Sequence, residues 1–261
     1  LSRPLDQLSV GVKALYGDDQ VLSFATSSHR SHIHRSGYAH YVVVKRLDES
    51  GHAIGELRFM GLHSSRFYSS NSARIPILRS RVEWLLDNAG FAVDSHDHKS
   101  LRTIADGYPR DELLQMPADE LLKTLIGIWQ IYERNAIRVF AHRDQFEKFV
   151  SCLVFIPREL FSTRVREKIQ REFEEYLEAG ESTFASFFLP ESMLVRIYLL
   201  FPVSPGASVE MSISELEALV ARIASNWNDD FAEVANHEFG PHRGSALVRG
   251  FSQAFSEAYK E

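Results

Sequence analysis

The chain has 261 residues, 44% of them hydrophobic and 25% charged, which excludes global disorder and allows a sizeable buried core. Its 29 Lys and Arg residues against 35 Asp and Glu residues give a net charge of −6, which argues against a nucleic-acid partner. One cysteine excludes an internal disulfide and favours a reducing, cytoplasmic location, and no apolar run approaches the roughly 20 residues of a membrane-spanning helix.

The first quarter of the chain has the pattern of antiparallel strands. Residues 21–25 and 41–44 are short runs of β-branched, aromatic and other apolar residues bounded by polar clusters. Turn residues at 48–51 then lead into an alternating segment over 53–62, which predicts a hairpin.

Helices follow this hairpin. Pro76 suits a first helical turn, an apolar stripe at helical spacing comes next, and Gly90 suits the C-terminal stop. We therefore assign residues 1–92 to a first α/β unit with a preceding linker. Residues 93–135 form a predicted helical motif, in which Pro109 and Pro117 each start a helix.

A second α/β unit is predicted over residues 136–204. Ser162 or Thr163 can cap its helix, and Gly180 suits the end of that helix. The order is strand, strand, helix, strand, strand, with strands at 137–140, 148–157, 183–189 and 194–203. The fold class is therefore α+β: two small sandwiches with antiparallel sheets, separated and followed by helical motifs.

The final segment, residues 205–261, is predicted to be helical. Residues 212–215 fit a capping box, and an apolar stripe at helical spacing follows it. Two more helices are expected, at 229–237 and 241–258.

Motifs for cofactor chemistry are missing from the sequence. No two glycines lie two residues apart, which excludes a dinucleotide fingerprint, and no phosphate-binding glycine loop occurs. No general acid and base pair stands out either. We therefore expect no catalytic residue and no cofactor-binding residue in this segment.

The histidines are the strongest candidates for metal ligands, yet the sequence argues against a metal. His29, His32, His34 and His40 crowd together, but arginines lie among them and no cysteine or close carboxylate completes a ligand set. Residues 95–98 are better interpreted as a helix start capped by Ser95 or Asp97.

Two further kinds of side chain are considered for a functional role, the single thiol and a group of arginines. Cys152 lies in an apolar strand, where a thiol behaves as a small hydrophobe. The arginines of the second unit can receive a carboxylate ligand or an acidic partner, and the alternative is a solvated surface on which they pair with Glu159 and Glu167. These arginines are Arg143, Arg158, Arg164 and Arg166.

Several stretches resemble the N-terminal region of the large bacterial NAD-specific glutamate dehydrogenases. The most specific are 138–140, 143–144, 149–158 and 163–166, and weaker matches extend from about residue 21 to residue 259. The chain begins at Leu1 without a signal peptide, and together with this resemblance that start leads us to expect a segment of a longer protein.

The resemblance implies two ACT-like, ferredoxin-like sandwiches at residues 1–92 and 136–204, a type of domain associated with amino-acid sensing and subunit contacts. It also implies a downstream catalytic domain that uses NAD, a homo-oligomer and an amino-acid effector. The candidate effector or interface residues are Arg143, Asp144, Arg158 and Arg166, and no metal is expected. The alternative is a purely structural oligomerisation module that binds no ligand.

The chain departs from the family pattern at the hairpin of the second unit. His142 precedes Arg143 where the family usually has a further arginine, and residues 145–147 replace a Pro-Phe-Gly turn. These departures weaken the expectation that this loop binds a ligand.

Overall fold

The computed structural model describes residues 21–31, 33, 37–131, 134, 136–188, 192–204, 211–225 and 227–251. Within these ranges lie two antiparallel sheets, so the α+β class is confirmed. The first sheet contains β1 (Leu22–Ser31), β2 (Gly37–Leu47) and β3 (Ala53–Gly61), and the second contains β4 (Arg138–Arg143), β5 (Phe149–Pro157), β6 (Thr183–Phe188) and β7 (Leu194–Pro202).

Eight helices lie in the same ranges, together with short 3-10 turns at Ser72–Arg74 and Arg158–Leu160. The helices are α1 (Ser65–Ser69), α2 (Pro76–Asn88), α3 (His96–Asp106), α4 (Arg110–Gln115), α5 (Ala118–Ile131), α6 (Thr163–Tyr176), α7 (Ile213–Ala224) and α8 (Trp227–Phe251). The last is divided by a kink at Gly240, whose φ of 73° is left-handed, so the expectation of two separate helices there is confirmed up to residue 251.

The predicted helix starts agree with the structure. Pro109 and Pro117 directly precede α4 and α5. The hydroxyl oxygens of Ser95, Ser162 and Ser212 each accept a hydrogen bond from an amide in the first turn of their helix.

One predicted helix end is wrong. The α6 helix ends at Tyr176 rather than near Gly180, because Glu178 takes a left-handed φ of 49° and the chain turns away. Gly180 instead donates its amide to the carbonyl of Pro202, 2.9 Å away, and so leads into β6.

The first sheet is a simple meander in the order β1-β2-β3. The β2–β3 turn is held by the side chain of Asp48, which accepts the amides of Ser50 and His52 at 2.9 Å each. No helix lies between the described strands of this sheet, so it lacks the strand and helix alternation of the second unit.

The second sheet has the order β4-β5-β7-β6 with every neighbouring pair antiparallel. Starting at β5, the chain runs strand, helix, strand, strand, helix, and β4 occupies the place of the final strand in a ferredoxin-like βαββαβ sandwich. The unit is therefore a circular permutation of that fold, in which the last strand has moved to the beginning. The helix α7 is linked to β4, because the carboxylate of Glu217 accepts a hydrogen bond from the amide of Val139 at 3.2 Å.

Helices cover both faces of the second sheet, so all nine residues of β5 are buried. One face packs on α6 and α7 through Val150, Cys152, Val154 and Ile156. Leu153 and Phe155 face the other way, toward α2–α5. Gly127 allows α5 to approach closely, because a Cβ there would lie 2.7 Å from the ring of Phe140.

The second sheet and the helices on its two faces form three layers, and the first sheet lies at their edge. Gln115 of α4 donates its side-chain amide to the hydroxyl of Thr26 at 3.0 Å, and the rings of Tyr38 and Phe149 meet edge to face with centroids 4.9 Å apart. No helix in the ranges given above is long and apolar enough to cross a bilayer.

Candidate functional site

The four sequence-predicted residues do not form one site. Arg143 ends β4 opposite Val150 near the start of β5, whereas Arg158 follows the other end of β5. An extended strand rises about 3.3 Å per residue, so the eight steps from Val150 to Arg158 separate these two positions by about 26 Å.

Asp144 shapes the β4–β5 turn. Its carboxylate accepts backbone amides from Phe146, Lys148 and Phe149 at 2.6–3.1 Å. Glu147 takes a left-handed φ of 55°, a conformation that suits glycine better. The carboxylate of Asp144 thus holds the replaced turn in place, which is a structural role.

Arg166 and Arg158 lie over aromatic rings on the α6 side of the second sheet. The guanidinium carbon of Arg166 lies 3.8 Å from the ring centroid of Phe184, and the same side chain donates to Gln170 and Glu167 at 2.9 Å. Arg158 lies 5.8 Å above the ring of Phe188. The guanidinium of Arg166 is therefore engaged within its own helix and with β6.

A cleft opens on the opposite face, between the helical layer and the second sheet. Its total volume, including the part open to solvent, is about 490 Å³. Most of its wall is apolar, and its polar side chains are those of Thr103, Ser192 and Arg196. It is lined by Thr103, Ile104, Gly107, Ile128, Ile131, Phe155, Ser192, Leu194 and Arg196.

Arg196 of β7 is the charged group of this cleft. Only 5% of it is exposed, and its guanidinium carbon lies 4.5 Å from the ring centroid of Phe187 in the neighbouring strand. Its Nη1 atom lies beside Gly107, the cap at the C-terminal end of α3, where the helix dipole favours a cation. A guanidinium held this way in an apolar wall can receive a carboxylate in bidentate fashion.

The sequence contained a signal for this residue. Arg196 interrupts the apolar run 194–203, and a charge inside a buried strand is uncommon without a partner or a function. The sequence argument instead selected arginines near loops, where charge is ordinary.

Glu112 is a second buried charged residue on the same side of the sheet. Tyr198 donates its hydroxyl to Glu112 at 2.9 Å, which joins α4 to β7. Burial raises the pKa of this carboxyl above its ordinary value, and the nearby His142 and the bond from Tyr198 oppose that rise.

Cys152 has the environment that the sequence predicts. It is fully buried in β5, and burial raises the pKa of its thiol well above the ordinary value. Of the four histidines grouped in the sequence, His32 and His34 lie outside the described residues.

Family models match both parts of the molecule that form the cleft, the helical layer and the second sheet. Residues 75–134 match the model of the glutamate dehydrogenase helical motif 1, and residues 138–228 match the model of the glutamate dehydrogenase ACT2 domain. The second sheet and its helices are therefore an ACT-type domain, joined to a helical motif.

Whole-chain similarity gives the same result. The chain is 39% identical over 244 residues to the NAD-specific glutamate dehydrogenase of Halomonas elongata, and 36% identical over 241 residues to that of Pseudomonas aeruginosa. The enzyme of the same name from Mycobacterium tuberculosis is 27% identical over 262 residues. These alignments cover 92–95% of the chain and 15–16% of the relatives, so the chain spans about one seventh of their length.

The chain belongs to the family of NAD-specific glutamate dehydrogenases, as a segment that carries helical motif 1 and the ACT2 domain. The resemblance seen in the sequence is thereby confirmed.

Proposed function

We propose that this chain is a non-catalytic regulatory segment, N-terminal to the catalytic domain of a large cytoplasmic glutamate dehydrogenase. The whole protein oxidatively deaminates L-glutamate to 2-oxoglutarate and ammonia and reduces NAD. The segment senses an amino acid and transmits its binding to the catalytic domain of the same chain. The cleft around Arg196 is the observation that carries this proposal.

The chemistry of the cleft supports an amino acid with an apolar side chain. Its carboxylate pairs with the guanidinium of Arg196, and its side chain packs against Ile104, Ile128 and Phe155. We therefore propose a site for the effector between the helical motif and the ACT2 domain, in place of one at Arg143, Asp144, Arg158 or Arg166. A ligand that touches both layers favours one arrangement of them, and such coupling is typically about 1–3 kcal/mol.

Calorimetry of the 261-residue chain with each of the twenty amino acids tests this proposal. We expect one apolar amino acid to bind with a stoichiometry of one and the variant Arg196→Met to lose that binding. Arg102→Met is the matched control, because Arg102 lies on the same helical layer but is exposed. Absence of heat and of a thermal shift with every amino acid would count against the sensing role.

An assembly role is the second candidate function, and the exposed edge strand β3 favours it. None of its nine residues is buried, and Ile54, Leu57, Phe59 and Met60 are all largely exposed. Unpaired backbone groups beside exposed apolar side chains favour pairing with another chain. Equilibrium sedimentation of the chain should then detect a dimer or larger oligomer that Phe59→Lys weakens, whereas a strict monomer at all concentrations would contradict assembly through this segment.

A further inference from the structure

Three side chains that are distant in the sequence meet where the first sheet joins the helical layer. His40 lies in β2, His63 follows β3, and Asp111 lies in the first turn of α4. The Oδ1 atom of Asp111 lies 3.6 Å from Nε2 of His40 and 3.9 Å from Nε2 of His63. One ligand atom from each of the three residues lies within 4.8 Å of the other two.

These distances are close to the spacing of ligands around a metal ion. Zinc binds histidine nitrogen at about 2.0–2.1 Å and carboxylate oxygen at about 2.0–2.2 Å, so neighbouring ligands of a tetrahedral site lie about 3.4 Å apart. The observed separations exceed the 2.7–3.2 Å that is usual for a direct hydrogen bond. Two imidazoles and one carboxylate are therefore spaced somewhat more widely than the ligands of a tetrahedral site, so modest side-chain adjustment brings them to a common ion.

The surroundings orient these groups. The hydroxyl of Tyr68 lies 3.1 Å from both carboxylate oxygens of Asp111, so it donates to that carboxylate and restricts its rotation. The His63 ring stacks between His40 and Phe67, with centroids 4.7 and 4.3 Å apart. Near-parallel imidazoles do not aim at one point, so the half-buried ring of His63 must tilt to complete the coordination.

Two cationic residues lie close to these groups, one next to Asp111 in the sequence and one on the same strand as His40. Arg110 precedes Asp111, but its Nη2 atom donates to the carbonyl of Ser70 at 3.2 Å. Lys45 lies on β2 at odd spacing from His40, which places the two side chains on opposite faces of the first sheet.

We propose that His40, His63 and Asp111 bind one divalent transition-metal ion of the zinc type, with a fourth position for water. The ion would join β2, the segment after β3 and α4, and so fix the first sheet on the helical layer. The sequence argument against a metal concerned His29, His32, His34 and His40, and it found no carboxylate close to them. Of these only His40 belongs to the present set, whose carboxylate, Asp111, comes from a distant part of the chain. This site shares no residue with the cleft around Arg196, so the two proposals stand or fall separately.

Metal titration of the chelator-treated 261-residue chain tests the site. Calorimetry with Zn²⁺ should give one equivalent, and Co²⁺ should give the visible absorption bands of a low-symmetry, four-coordinate ion. Each of His63→Gln and Asp111→Asn should weaken Zn²⁺ binding at least about 100-fold, and Tyr68→Phe about tenfold. His52→Gln is the matched control, because His52 lies exposed in the β2–β3 turn.

The outcomes that overturn the proposal are specific. A chain without stoichiometric Zn²⁺ binding and without Co²⁺ absorption bands contradicts it whatever the variants do. One equivalent retained unchanged in both His63→Gln and Asp111→Asn places the ion elsewhere and also contradicts it. Far-ultraviolet circular dichroism of each variant distinguishes a lost ligand from a lost fold, and the Co²⁺ spectrum of the unchanged chain needs no variant at all.

Discussion

The two sheets of this molecule have similar antiparallel hairpins but opposite surroundings. Every residue of β5 is buried between two layers of helices, whereas no residue of β3 is buried. The second sheet thus contributes to two hydrophobic clusters, and the first contacts the rest of the molecule along a rim. Strand pairing alone does not make a core, because stability comes mainly from the apolar area that each face removes from water.

One short helix serves both sheets. Within α4, Asp111 faces His40, His63 and Tyr68 at the first sheet, and the adjacent Glu112 accepts a hydrogen bond from Tyr198 of the second sheet. Both sheets therefore contact the same short helix. We expect the contacts of the exposed first sheet to contribute less to stability than those of the buried second sheet.

The largest contrast is expected from matched phenylalanine truncations in the two sheets. Phe201→Ala removes a fully buried ring that contacts Phe173 of α6, so we expect the free energy of unfolding to fall by about 3–5 kcal/mol. Phe59→Ala in β3, where the residue is 59% exposed, should cost less than about 1 kcal/mol. Urea denaturation measures both, and equal losses would contradict the contrast.

A pH-dependent effect is expected at the second-sheet contact of α4. Burial raises the pKa of Glu112, so the folded state holds this proton more tightly than the unfolded chain does. The stabilisation due to protonated Glu112 is therefore fully present below about pH 4.5 and is lost as the pH rises through the folded pKa. Glu112→Gln cannot titrate, so its stability relative to the unchanged chain should improve between about pH 4 and pH 8.

The control for this experiment is Glu83→Gln, since Glu83 is exposed on α2. Denaturation at several pH values should give a difference that changes with pH for Glu112→Gln and stays nearly constant for Glu83→Gln. A constant difference for both variants would remove the pH-dependent role assigned to Glu112.

A smaller effect is expected where the first sheet is attached to α4. Thr26→Val removes the acceptor of the Gln115 side-chain amide with little change in volume, which should cost about 1 kcal/mol of unfolding free energy. A double-mutant cycle with Gln115→Leu isolates the pair, and a coupling near zero would mean that this hydrogen bond does not hold the sheet.

The smallest effect is expected from an exposed ion pair between the two units. Arg30 of β1 lies 3.2 Å from Glu181, whose side chain is 82% exposed. Glu181→Gln should cost at most about 0.5 kcal/mol at low ionic strength, and this cost should vanish in about 1 M salt because exposed charges are screened. A loss above 1 kcal/mol that persists in salt would indicate a firmer contact between the units.

Local sequence signals predicted most of the elements because their causes lie within a few residues. Pro109 and Pro117 precede helices, Ser162 and Ser212 cap helices, and the turn at 48–51 joins two strands. The end of α6 was missed because Glu178, rather than the more permissive Gly180, takes the left-handed conformation. The candidate site was missed because the sequence marks Arg196 only as a charge inside an apolar strand, whereas the cleft depends on how the helical layer packs over that face of β7.

The sequence by itself determined the antiparallel hairpins, the helix starts, the burial of Cys152 and, through its resemblance, the family. Tertiary structure alone decided that β4 completes a permuted sandwich, that Arg196 rather than Arg143 lines a cleft, and that His40 meets His63 and Asp111. The reason is physical: turns and caps are fixed by neighbours along the chain, whereas these meetings depend on how whole layers pack.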